Sequence, residues 1–222
     1  MSMIKNAYLT IYNMASALAW GSILISCVRN VIVGSSTQDL YNEVEIVLQI
    51  VQTAALMEIL HSMLGLVRSP WFVTLIQVAS RLVVVWGFLW TCPSTQSQIG
   101  AMLCISSWAA VEVPRYLFYA FNIYGQVPYA LFWMRYSLFA ILYPTGITGE
   151  LLTMWAGLNC LKESTALSVE LGPLTLTAYT LAIAILVTYI PGGPYMYVNM
   201  SKNRKVAFRK RSGQPSKTKK TS

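Results

Sequence analysis

The sequence predicts an all-α fold: a polytopic membrane bundle of six transmembrane helices. Three observations lead there. Of 222 residues, 55% are hydrophobic and only 11% charged, whereas a water-facing domain carries about 25% charged residues. Mean hydropathy is accordingly positive, at +0.53. The apolar residues gather in runs near the roughly 20 residues that a helix needs to cross a bilayer. Charge is also segregated: all 8 acids precede residue 201, while residues 201–222 hold 9 of the 16 Lys and Arg. The net charge of +8 therefore belongs to a tail and not to a nucleic-acid-binding surface.

The spans follow in order. Ala7–Val33 is the first. Its length and its polar flank (Lys5, Asn6, Tyr8, Tyr12, Asn13) do not fit a cleaved signal peptide, so it is expected to be retained. Tyr41–Leu66 follows the turn Gly34-Ser35-Ser36, and Pro70–Trp90 follows Arg68-Ser69-Pro70, interrupted only by Gln77 and Arg81. Gln98–Phe121 comes after Cys92-Pro93-Ser94, and Pro128–Asn159 after Gly125-Gln126-Val127-Pro128. The last run, Leu174–Ile190, begins after Gly172-Pro173 and is expected to end or kink at Pro191-Gly192-Gly193-Pro194. Such Gly- and Pro-bearing connections are turn chemistry. No internal repeat is visible. Residues 1–200 are read as one transmembrane domain and residues 201–222 as a basic tail, solvated and without fixed structure beside anionic headgroups.

Charge orients the bundle. A basic tail marks the cytoplasmic side, and an even number of spans places Lys5 there as well. The loop Thr91–Ser97 lacks Lys and Arg and is expected on the lumenal side, as is the mixed loop with Lys162, Glu163 and Glu170. Lys219-Lys220-Thr221-Ser222 resembles a dilysine address for the endoplasmic reticulum, which a receptor reads and which anchors nothing. Cys27, Cys92, Cys104 and Cys160 show no zinc or redox spacing. Cys92 and Cys160 would share the lumenal side, so a disulfide between them is conceivable, although its absence is the expectation.

Ionisable residues inside the spans carry the functional signal. Each costs about 2.5–3.5 kcal/mol at the bilayer centre on insertion scales, so each is expected to face protein or a water-filled cavity. Glu58, Glu112 and Glu150 oppose Arg81, Arg115 and Arg135, with His61 nearby in sequence. Pairing would lock helices together, whereas a shared polar chamber would support chemistry. Glu58, His61, Gly65 and Arg68 fall on one helical stripe, and Gln77 with Arg81 on another. Pro114 sits between Glu112 and Arg115 and is expected to bend that helix. Tyr136, Tyr143 and Glu150 recur every seventh residue. Between the last two lies Pro144-Thr-Gly-Ile-Thr-Gly149, where a smooth helix is not expected. Tyr143 and Glu150 would then flank a distorted turn, closer together than the spacing of about 10 Å in an ideal helix.

His61-Ser62 through Arg68-Ser69 mimics the tyrosine-phosphatase pattern with serine in place of cysteine. That chemistry needs a thiolate, and serine cannot supply one. A phosphotyrosine-binding pseudo-phosphatase is the remaining form of that reading.

Val111-Glu-Val-Pro-Arg-Tyr116, Trp133-Met-Arg-Tyr136 and Leu142-Tyr-Pro-Thr-Gly-Ile-Thr-Gly-Glu150 resemble the very-long-chain (3R)-3-hydroxyacyl-CoA dehydratases of fatty-acid elongation. Ser62 and the basic tail look most like the plant PASTICCINO branch. The resemblance spans nearly the whole chain. It implies a six-span endoplasmic-reticulum lyase that converts a (3R)-3-hydroxyacyl-CoA to a trans-2-enoyl-CoA without a metal or redox cofactor. Its partners would be the acyl-CoA substrate, the lipid bilayer and other elongation enzymes, with no nucleic acid. It also implies a catalytic pair at Tyr143 and Glu150, with supporting roles at Glu58, Gln77, Arg81, Arg135 and Gly146.

Dehydration needs one base for the proton beside the thioester and one acid for the departing hydroxyl. Glu150 as base with Tyr143 as acid satisfies this, and the reverse assignment stays open. Arg81 or Arg135 could hold Glu150 ionised or orient the thioester, and Arg68 could meet CoA phosphates. Two other classes remain as alternatives. A transporter would also place ions at mid-membrane but usually shows paired repeats. A non-catalytic scaffold would explain ion pairs without a cavity.

Overall fold

A computed structural model describes residues 3–67, 69–163, 168–171 and 174–213. The first helix, α1 (Met3–Val33), shows how the sequence builds a membrane element. Ile4, Ile11, Leu18, Ile25 and Ile32 recur every seventh residue and are each more than two-thirds exposed. Asn13, Trp20 and Cys27 recur with the same period on a buried stripe. An exposed apolar stripe as long as the helix is a liability in water and at home in hydrocarbon. Gly34 ends α1 with a positive φ of 74°, the left-handed conformation that lets its N–H donate to the Asn30 carbonyl at 2.9 Å. Ser36 then opens the next helix through a reciprocal capping box with Asp39.

That second path is α2 (Thr37–Ala54) followed by α3 (Leu56–Met63), interrupted at Ala55. Next, α4 (Trp71–Leu82) widens into a π-helical stretch, Val83–Trp90. A short 3₁₀ turn at Pro93–Thr95 leads to α5 (Ile99–Ile123), then α6 (Tyr129–Ser137) and α7 (Phe139–Glu163). Two short antiparallel strands, β1 (Ser168–Leu171) and β2 (Leu174–Thr177), pair with Ser168 opposite Thr177. The chain finishes in α8 (Ala178–Arg211), opened by a Thr177–Thr180 capping box.

Four of these paths are long and apolar enough to cross a membrane: Met3–Val33, Thr37–Met63, Trp71–Trp90 and Ala178–Arg211. The most buried helix, α5, packs chiefly against α1 and α7. Glycines make the α5–α7 approach possible. A Cβ on Gly100 would lie 2.7 Å from the Thr153 nitrogen, and one on Gly149 would collide with the Cys104 backbone. Small residues that let backbones touch are the usual means of helix association in lipid, where water drives nothing.

Several expectations are corrected. The stretch 144–149 is not a distorted turn, because α7 runs unbroken from Phe139 through Pro144 to Glu163. Pro144 lies near the helix start, and the interruption falls instead at Leu138, between α6 and α7. Pro191 and Pro194 do not end the last helix, which continues across residue 200 to Arg211. The beginning of the tail is therefore helical, anchored where Arg211 lies over the Phe132 ring at 4.5 Å and donates to the Val127 carbonyl at 3.3 Å. Cys92 and Cys160 are not free: they form a disulfide with Cα atoms 5.9 Å apart. The π-helical widening before Cys92 and the end of α7 bring together two residues that linear spacing left unrelated. Arg68, Lys219 and Lys220 lie outside the described residues.

Candidate functional site

Ionisable side chains assemble where α3, α4 and α5 meet. Arg115 of α5 grips Glu58 of α3 through both terminal nitrogens, at 3.0 and 2.6 Å. Its Nε also donates to Glu112 at 2.5 Å, one turn back on α5. Arg81, in the last turn of α4, pairs with the other oxygen of Glu112. The Tyr116 hydroxyl donates to Glu58. Glu112 is only 1% exposed and is tolerated because two guanidiniums face it. Removing one partner of such a buried pair typically costs about 3–5 kcal/mol, since the other charge is left alone.

Glu150 stands apart from this chain of ions. It lies on α7, 8% exposed, and its two oxygens accept from two neutral donors. Trp108 Nε1 of α5 reaches one at 2.8 Å, and the Tyr189 hydroxyl of α8 reaches the other at 2.7 Å. Among the described residues no cation pairs with it. The Arg81 guanidinium instead lies over the Trp108 ring at 5.7 Å, so the indole joins the ion cluster to Glu150.

Tyr143 shares the Glu150 face of α7 but does not bond to it. Its hydroxyl donates to the Gly193 carbonyl of α8 at 3.3 Å. The pair thus docks on α8 at two points four residues apart, Tyr189 and Gly193. Gly146 lies between them, buried, where a Cβ would meet Ser107 of α5 at 3.4 Å.

The remaining sequence-predicted residues divide. Arg135 on α6 does not reach Glu150; it donates to the Tyr119 hydroxyl at 3.1 Å and stacks on that ring. Arg115 approaches the same ring at 5.7 Å. Gln77 is exposed on α4 and makes no side-chain hydrogen bond among the described residues. His61 accepts or donates to Tyr8 at 2.8 Å. Ser62, in the phosphatase-like pattern, donates to the Ser69 carbonyl at 2.6 Å, which ties off the turn after α3. Among the described residues of its predicted stripe, Glu58 is the one that enters the ion cluster.

Sequence reasoning missed Trp108, Tyr116, Tyr119 and Tyr189. Trp108 carried a local signal, lying one turn before Glu112 on the same face of α5. Tyr189 carried none, because its partner is 39 positions away on another helix.

The family model described as protein tyrosine phosphatase-like protein, PTPLA, matches residues 52–210. The very-long-chain (3R)-3-hydroxyacyl-CoA dehydratase hpo-8 of Caenorhabditis elegans is 40% identical over 207 residues, covering 91% of this chain and 95% of its own. The dehydratase PASTICCINO 2A of Oryza sativa subsp. japonica is 37% identical over 213 residues, 94% of this chain and 96% of its own. Dehydratase 2 of Homo sapiens is 35% identical over 205 residues, 91% of this chain and 81% of its own. No solved structure matches. Matched by the family model over residues 52–210 and similar along nearly its whole length to relatives named as dehydratases, the chain belongs to the protein tyrosine phosphatase-like (PTPLA) family.

Proposed function

We propose that this protein is a membrane lyase that removes water from a very-long-chain (3R)-3-hydroxyacyl-CoA to give the trans-2-enoyl-CoA, with Glu150 as base and Tyr143 as acid. The observation that carries the residue assignment is the state of the two groups. Both Glu150 oxygens accept hydrogen bonds, which favours a carboxylate. The Tyr143 hydroxyl acts as a donor, as a proton source must. Their anchor points are one heptad apart, about 10 Å along the helix axis. That leaves room for a substrate carbon–carbon unit with a hydrogen bond to either side.

In this mechanism Glu150 takes the proton from the carbon beside the thioester. Tyr143 protonates the hydroxyl on the next carbon, which leaves as water while the double bond forms. The resulting tyrosinate recovers its proton from the protonated Glu150 or from solvent. The Glu58–Arg115–Glu112–Arg81 cluster supports the reaction by holding α3, α4 and α5 in register, and Arg81 adds positive potential near the developing enolate-like charge. Gly146 keeps the α7 face open toward α5. Arg135 and Gln77 lie outside the hydrogen-bonded cluster; their supporting roles are proposed for substrate binding. The acyl chain lies between apolar helix faces.

The same reading includes six crossings. Besides the four apolar paths, α5 and α7 have 25 residues each, enough at about 1.5 Å per residue to span the hydrocarbon. Glu112 of α5 and Glu150 of α7 face other helices. Both termini lie in the cytoplasm, the membrane is that of the endoplasmic reticulum, and the other enzymes of elongation are the partners. The Cys92–Cys160 disulfide supports this orientation, because such bonds persist in an oxidising lumen. A scaffold accounts for the ion pairs, but it gives no reason to bury Glu150 without a cation.

The test uses detergent-purified protein of matched monodispersity and a (3R)-3-hydroxyacyl-CoA. Tyr143→Phe and Glu150→Gln should each lower turnover by about 10²-fold or more, the scale of a positioned acid or base. The double variant should be little worse than the less active single, since groups acting as a unit are not additive. Near-normal turnover in either well-folded variant would remove that residue from the mechanism.

A further inference from the structure

We infer that Tyr189 and Trp108 are positioning residues that fix the carboxyl plane of Glu150 and aim it across the α7–α8 interface. The inference rests on the dehydratase reading above and names two residues that reading does not require.

A carboxylate carries two lone-pair sites on each oxygen. Trp108 takes one site on Oε1 at 2.8 Å, and Tyr189 takes one on Oε2 at 2.7 Å. One site on each oxygen is left for a substrate proton. The donors come from helices on two sides, α5 and α8, so the carboxylate plane is fixed by elements that α7 itself does not control. Their neutrality matters. A bidentate arginine would also fix the group, but it would weaken the base that must take a weakly acidic C–H proton. The fold keeps Arg81 at one remove: it stacks on the Trp108 ring at 5.7 Å while pairing with Glu112.

Other groups facing Glu150 do not substitute for these donors. On α5 the thiol of Cys104 lies near it but donates to the Ala101 carbonyl at 3.3 Å. On α7 the Tyr143 hydroxyl is committed to Gly193. On α4, Ser80 faces the Tyr189 hydroxyl rather than the carboxylate. Tyr189 also has a mechanical role. Ala182 is the one buried residue of α8, and Ile183, Leu186 and Tyr189 pack half-buried against the core around it. The Tyr189 hydrogen bond to Glu150 and the Tyr143–Gly193 bond register α8 against the reacting face of α7, beside the Tyr197 ring contacts with Phe139 and Tyr143.

The experiment measures kcat and KM for Tyr189→Phe and Trp108→Phe, alongside Glu150→Gln, on purified full-length protein with a (3R)-3-hydroxyacyl-CoA. A donor that aims the reacting carboxyl acts in the chemical step rather than in substrate binding. Each variant should therefore lose about 10-fold or more in kcat with KM changed less than about threefold. Glu150→Gln inactive, with both donor variants at wild-type kcat, overturns the inference and leaves the dehydratase reading standing. Glu150→Gln active overturns both. If Tyr189→Phe does not fold, the Trp108→Phe kinetics decide alone: a lower kcat at near-wild-type KM upholds the inference and a wild-type kcat overturns it.

Discussion

At the scale of single residues, backbone approach and charge pairing make different demands. Gly149 and Gly146 both line the face of α7 that meets α5, yet only Gly149 is pressed against backbone. A methyl group there must push two helices apart, because neither the Cys104 nor the Gly100 main chain can step aside. At Gly146 the neighbour is the Ser107 side chain at 3.4 Å, which can yield. Gly149→Ala should therefore lower the melting temperature by several degrees or abolish monodisperse protein, in the range of about 1–3 kcal/mol for overpacking. Gly146→Ala should remain within about 1 kcal/mol of wild type by the same measure. Thermal unfolding of the two purified variants, followed by light scattering, checks the contrast. Equal stability would show that the α5–α7 contact adjusts more freely than its geometry implies. The two sites also separate folding from activity, since Gly146 can be altered with the helix crossing intact.

At the scale of elements, the disulfide and the prolines show how helices are tied without a driving force from water. Cys92 and Cys160 link the end of the π-helical stretch to the end of α7 across a sequence separation of 68. Closing a loop that long removes much unfolded-state entropy, worth about 2–4 kcal/mol in typical proteins. Maleimide labelling in denaturant should modify two cysteines without reductant and four with it. Cys92→Ser with Cys160→Ser should lower the melting temperature while turnover at low temperature survives. Four labelled cysteines before reduction would mean that the bond does not form in the cell. Proline acts more gently than its reputation in water-soluble helices. Pro114, Pro144, Pro191 and Pro194 all lie within continuous helices. Each removes one backbone hydrogen bond, but the carbonyl left free can be served by neighbouring helices or side chains. The Gly193 carbonyl, beside Pro194, accepts from Tyr143, so the feature that punctuates α8 in sequence marks its contact with the reacting face in space.

For the whole molecule, the outward face is apolar and the inward face carries the ions, the reverse of a water-soluble bundle. α1 presents isoleucine and leucine outward along its length, while Glu112, Glu150, Gln52 and His61 are buried. α8 extends for 34 residues, about 51 Å by helical rise, well past a hydrocarbon core of about 30 Å. Its basic end therefore emerges on one side, over the α5–α6 connection. A glycosylation acceptor placed with a spacer in the Thr91–Ser97 loop should be modified, and one placed after Arg211 should not. Digestion of the glycan, read as a gel shift, makes the comparison. Modification after Arg211 would rule out cytoplasmic termini and the six-crossing path with them.

Much of this architecture was legible from local pattern alone. Apolar runs of bilayer length fix the helical class, because an unsatisfied backbone in hydrocarbon has no alternative to helix or closed barrel. The acids Glu58, Glu112 and Glu150 could be marked as exceptional from their apolar surroundings in sequence, and so could the basic tail. Tertiary structure decided what each charge meets. Arg81 and Arg135 were equal candidates for Glu150 on sequence grounds. Packing gave Arg81 to Glu112 and Arg135 to Tyr119, and left Glu150 to an indole and a phenol. The continuity of α7 through Pro144 and of α8 through Pro191, the Cys92–Cys160 bond and the place of Tyr189 were likewise settled in three dimensions. Periodicity records which face of a helix a residue occupies, but not which helix lies opposite. The π-helical turn, the break at Leu138 and the Gly100–Gly149 crossing decide that, through steric fit between segments far apart in the chain.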